Sequence, residues 1–63
     1  MPSDLIIDNL KASHAEQTPV TLHLRSGTLR GVVSRIEEGV VELRQESRRS
    51  IVRLDRIEAI TVE

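Results

Sequence analysis

Apolar and polar positions change period once along the chain, near Pro19, and that change separates a helical segment from a series of strands. Before it, Ile6, Ile7 and Leu10 fall at the i, i+1, i+4 spacing of one helix face. Ser3 can cap this helix, with Asp4 and Asp8 near the positive end of its dipole. The stripe is narrow and fades after Leu10 into Lys11-Ala12-Ser13-His14, which suits a helix over about residues 3–16 lying on a larger element. Thr18-Pro19 closes it, because a residue before proline avoids the helical region.

From Pro19 the period is two. Val20, Leu22 and Leu24 alternate with Thr21, His23 and Arg25, as in a half-buried strand, and Ser26-Gly27 marks a tight turn. Thr28 to Glu37 makes the second strand, interrupted by Gly31. A glycine inside a strand marks a bend or a close backbone approach, and here one strand would serve both halves of a sharply curled sheet. Glu38-Gly39 turns the chain into a third strand, Val40 to Arg44; Gln45 to Arg49 is a polar loop. Ser50 to Leu54 is the fourth strand, and Ile57, Ile60 and Val62 lie in a short fifth. The expected fold is therefore mainly β, with an N-terminal helix before a small, strongly bent, five-stranded antiparallel barrel over residues 19–63. An SH3-like barrel fits the same pattern.

A chain of 63 residues makes one domain and buries only about 60% of its unfolded surface. Small folds close that deficit with disulfides, metals or self-association. With no cysteine and two histidines, His14 and His23, self-association is what remains. The core must be aliphatic, since 20 residues are Val, Ile or Leu and none is Phe, Tyr or Trp. No apolar run approaches the roughly 20 residues of a membrane span, and Met1-Pro2-Ser3-Asp4 lacks the basic start of a signal peptide, so a cytoplasmic protein is expected.

The formal charge of −1 announces no global basic field, so nucleic-acid affinity must come from a local patch. The second part of the chain, from Val20 onward, carries eight arginines and no lysine against seven acids. Arginine's planar fork suits both carboxylates between subunits and phosphates of RNA.

The segment Pro19-Val20-Thr21-Leu22-His23-Leu24-Arg25-Ser26-Gly27, with the helix before it and Leu29-Arg30-Gly31-Val32-Val33 after it, resembles the first motif of the Sm-like superfamily, in its bacterial Hfq branch. Val52-Arg53-Leu54-Asp55-Arg56-Ile57 is similar to the second Sm motif. This resemblance covers nearly the whole chain. It implies a homo-oligomeric ring, hexameric or heptameric, in which the fourth strand of one subunit pairs with the fifth of the next, and which binds single-stranded RNA. The interface candidates are then Ile51, Val52, Leu54, Ile57, Ile60 and Val62. Two departures bear on the site. Where Hfq has an aromatic residue after the second strand and a Lys-His pair in the fourth, this chain has Gly39 and Arg53-Leu54-Asp55. Without aromatic side chains, base stacking worth about 1–3 kcal/mol per nucleotide is open only to arginine planes and histidine.

The opposite face keeps more: by resemblance His23, Ser26, Gly27, Thr28 and Arg30 occupy the places of an RNA-contacting surface, whereas on the helix-bearing pore face Arg53 is the one contact that survives. Arg48 and Arg49, next to Arg44, form a third candidate for gripping phosphates, unless Glu42 and Glu46 pair with them. No nucleophile stands beside a histidine in the pattern, and two lone histidines make no metal site, so no catalytic residue, metal or cofactor is assigned. Two readings follow from this pattern: a ring that binds RNA as a chaperone or post-transcriptional regulator, or a ring without RNA that works as a protein-interaction module.

Overall fold

A computed structural model describes residues 4–63, so the proposed Ser3 cap and the first residue of the expected helix lie outside it. Helix α1 spans Asp4–Glu16; strands β1 Pro19–Leu24, β2 Gly27–Glu37, β3 Val40–Arg44 and β4 Arg49–Arg53 follow. A single 3-10 turn, Leu54–Arg56, leads into β5, Ile57–Val62. The fourth strand thus ends before Leu54. The Leu54 N–H still donates to the Gly39 carbonyl at 2.8 Å, the next rung of the β3–β4 register, and the chain leaves the ladder after it.

All five strands form one antiparallel sheet in the order β4-β3-β2-β1-β5. A flat sheet of that order would separate its edges by about four strand spacings, roughly 19 Å. Yet Val52 of β4 and Ile57 at the start of β5 share one core with Leu10, Val20, Leu22, Val33, Val41 and Leu43. The sheet is therefore curled around its own apolar side chains. The bend lies in β2, whose first half pairs with β1 up to Val32 and whose second half pairs with β3 from Val32 onward. A bulge between Val33 and Arg35 shifts the register there.

Helix α1 lies over β2, β5 and β1, burying Leu10, with Ile6 half-buried against the core. Its last turn is joined to the sheet by polar atoms. Where β1 begins at Pro19 and can pair no further, Val33 would be left with an open N–H and C=O. The buried Ser13 accepts the Val33 N–H on Oγ at 3.2 Å and donates that hydroxyl to the Thr18 carbonyl at 2.6 Å. The His14 ring, through Nδ1, lies 3.2 Å from the Val33 carbonyl. The helix end so extends the ladder by one residue, and Gln17 then stops the helix in the left-handed region at φ 56.

Replacing Ser13 by Ala should leave a buried donor unpaired and cost about 1–3 kcal/mol, a large part of the roughly 3–9 kcal/mol expected of a domain this size. The check is the urea midpoint at fixed protein concentration. A change under a few tenths of a kcal/mol would mean that the helix is held by its apolar stripe alone.

Candidate nucleic-acid interface

The hairpin loops fix which backbone groups face outward. Leu24 and Gly27 flank a two-residue loop, so Val20, Leu22 and Leu24 direct their backbone groups at β2, while Thr21 and His23 direct theirs at β5. Their partners there are Thr61 and Ala59, which leaves the N–H and C=O of Ile60 and Val62 on the open side of β5. By the same count from the Glu38-Gly39 loop, Val41 and Leu43 face β4, where they meet Val52 and Ser50. Arg49, Ile51 and Arg53 are left with outward backbone groups on β4. Ile51 and Val62 are also 63% and 51% exposed. The side chains of Val52 and Ile57, by contrast, fill the subunit's own core, and Leu54 and Ile60 pack partly against it.

The register also assembles a polar patch on the outer face of the sheet. His23 lies opposite Thr28 and Thr21 opposite Arg30, so these four share a face. The His23 ring, through Nε2, meets Thr61 Oγ1 at 2.8 Å. Arg30 donates twice to Glu63, from Nε to Oε2 at 2.6 Å and from Nη2 to Oε1 at 2.8 Å. Those hydrogen bonds hold the Glu63 carboxyl below the usual carboxylate range and raise Arg30. The pair is complete above the ordinary carboxylate pKa and loosens only as pH falls through the lowered one. Any phosphate reaching Arg30 competes with this carboxylate. Ser26 and Gly27 stand at the turn beside the patch.

Beyond that turn, a groove of about 590 Å³ lies between the β1–β2 loop and β4. Leu24, Leu29, Ile51 and Val52 line it with Ser26, Arg25, Arg53 and Arg56. Arg53 donates to Asp55 at 2.9 Å, whereas Arg25 and Arg56 form no ion pair among the described residues. The sequence offers no sign that Arg56 joins Arg25 here. Their convergence depends on the curl of the sheet, which brings residues far apart in the chain to one groove. Arg48 and Arg49 sit with Arg44 around a separate concavity at the β3–β4 loop. Glu42 is not their partner, since its carboxylate accepts from Ser34 Oγ at 2.8 Å. Among the described residues, no three His, Asp or Glu side chains gather as a metal site, and no helix is long and apolar enough to cross a membrane.

No protein-family model matches the sequence, and no curated protein matches it. Solved structures do. A crystal structure of the pleiotropic translational regulator Hfq superposes with a TM-score of 0.80 at 27% identity, covering 100% of this chain and 100% of that one. The helix, the five-strand order and the bent second strand are thus one arrangement shared from end to end, which sets the SH3-like alternative aside. The chain has the Sm-like fold in its Hfq form.

Proposed function

We propose that this chain assembles head to tail into a homo-oligomeric ring that binds single-stranded RNA on the face carrying His23, Ser26, Gly27, Thr28 and Arg30, in the cytoplasm, as a binding rather than a catalytic protein. The observation that carries the reading is the pair of outward-facing edges on β4 and β5, in a fold similar over its full length to a translational regulator. Open edges expose unpaired backbone groups, and a heterologous contact that closes on itself pairs all of them. Setting Ile51 of one subunit against Ile60 of the next in antiparallel register also puts Arg53 opposite Glu58, an opposite-charge pair across the seam. Post-transcriptional regulation is the role this reading suggests, as for Hfq.

The test uses the absence of Trp and Tyr, which leaves the protein nearly transparent where nucleobases absorb. Light scattering should give several times the 7.1 kDa subunit mass. Material purified at low salt should carry a nucleobase signal that high salt removes, because binding that releases counterions weakens steeply with ionic strength. A ring that is clean at both salts, and that ignores added oligo-A and oligo-U, would instead be a protein-interaction module.

Arg30→Ala should weaken binding of a purine-rich strand by about tenfold, the worth of one charged hydrogen-bond set, and by more than Arg53→Ala does. Competition titrations decide this. The reverse order would move the site off this face and into the groove where Arg53 lies.

A further inference from the structure

We infer that the end of the β3–β4 hairpin is a second contact for the RNA backbone, a phosphate site formed by Arg44, Arg48 and Arg49; this rests on the RNA-binding reading above. The hairpin register places Arg44 directly opposite Arg49. Like charges facing each other across two strands oppose the ladder they belong to, and Arg48 adds a third cation next to them. Folding alone gives no reason for such a grouping.

Elsewhere among the described residues, Arg30 is matched by Glu63, Arg35 by Glu37 and Arg53 by Asp55, and the other two arginines without an ion pair, Arg25 and Arg56, have no arginine directly across a ladder from them. At the hairpin end no ion pair forms among the described residues. Glu46 is the one acid lining the concavity of about 330 Å³, against three guanidinium groups.

The site is also pre-shaped. Gln45 N–H donates to the Arg48 carbonyl at 2.8 Å and closes the loop, and Gln45 Oε1 accepts from Ser50 Oγ at 2.7 Å. Arg44 Nη2 is steadied by the neutral Gln17 Oε1 at 3.0 Å, which positions the guanidinium without cancelling its charge. Three exposed forks converging on a concavity suit phosphodiester oxygens, which accept paired N–H donors. The loop reads no base edge, so it would add affinity without sequence preference.

Two measurements test this. Titration of the whole protein with inorganic polyphosphate, followed by NMR, should shift the Arg44, Arg48 and Arg49 signals and leave Arg35 unmoved. The variant R48Q/R49Q should keep the assembly mass, bind single-stranded RNA about tenfold or more weakly, and lower the slope of log K against log salt by about 1.4, for two phosphate contacts. Equal RNA affinity with an unchanged slope in R48Q/R49Q would overturn the site and leave RNA binding by the other face intact. A wild-type protein that binds no RNA but whose loop answers polyphosphate would retain the phosphate site and overturn the RNA reading. Silence in both measurements would overturn both.

Discussion

If the proposed ring closes through β4 and β5, Ile60→Pro should convert it to a folded subunit near 7.1 kDa, while Thr61→Pro, one residue on, should unfold the subunit itself. The difference follows from the direction of two N–H groups. Thr61 lies in the β1–β5 ladder opposite Thr21, with its backbone groups turned toward β1. Proline there removes an internal bond from a sheet whose total stability is roughly 3–9 kcal/mol. The Ile60 backbone groups point the other way, to the side of β5 that no strand of this subunit occupies. Proline is tolerated at such a position within a monomer but deprives an incoming β4 of a donor at the centre of the seam. Because every interface in a closed ring is the same interface, one lost donor per subunit recurs around the ring. Light scattering and circular dichroism on the two variants separate the cases. An Ile60→Pro protein that keeps its full mass would show that the subunits join elsewhere, and the groove beside Ile51 would then be the next surface to test.

The first strand was legible because apolar and polar residues alternate through it, the later ones because turn and polar residues bound their apolar runs, and the bend because Gly31 interrupts the second strand. The 3-10 turn was not, because Leu54-Asp55-Arg56 contains neither glycine nor proline. Ser13 and His14 stand three and four residues after Leu10, where helical periodicity would put them on the buried side. Being polar, they looked like the end of the stripe, although they are the atoms that fasten the helix to Val33. Ile51 and Val52 pose the opposite problem. Both are apolar and adjacent, so one must face in and the other out, and only the pairing of Val52 with Val41 decides which. The charges were least legible. Arg30 and Glu63 are 33 residues apart in the chain, and no local pattern announces their pairing. Nor does local sequence reveal that Arg48 and Arg49 go without acids while Glu42 turns to Ser34.

Gly31→Ala should disturb the packing of the core, which Gly27→Ala should not, and Gly31→Val should prevent folding. A Cβ added at Gly31 would stand 2.6 Å from the Arg44 carbonyl oxygen, 3.0 Å from Leu43 Cγ and 3.2 Å from Gln45 Cγ. The first of these contacts is with backbone, which cannot rotate away as a side chain can. Relief requires β3 to move off β2 near the Val32–Arg44 pair, where β2 passes from one half of the sheet to the other. That motion also loosens Leu43, a fully buried member of the core. Overpacking of this kind costs about 1–3 kcal/mol for one methyl group, partly offset by the roughly 0.4–1 kcal/mol that alanine gains by stiffening the unfolded chain. Valine adds two more carbons to the same space and should exceed the margin that the subunit has. Gly27→Ala is the matched control. Gly27 has φ +148, so alanine there is strained, but its Cβ would meet nothing within 4 Å. Backbone strain alone should then cost on the order of 1–3 kcal/mol and leave the core packing untouched. Denaturation midpoints separate the two kinds of cost when near-ultraviolet signals are absent, because only Gly31→Ala should also broaden the methyl NMR signals of Leu43 and Val33. Sharp, unshifted methyl signals in Gly31→Ala would mean that β2 bends at the Val33–Arg35 bulge without needing the close approach at Gly31.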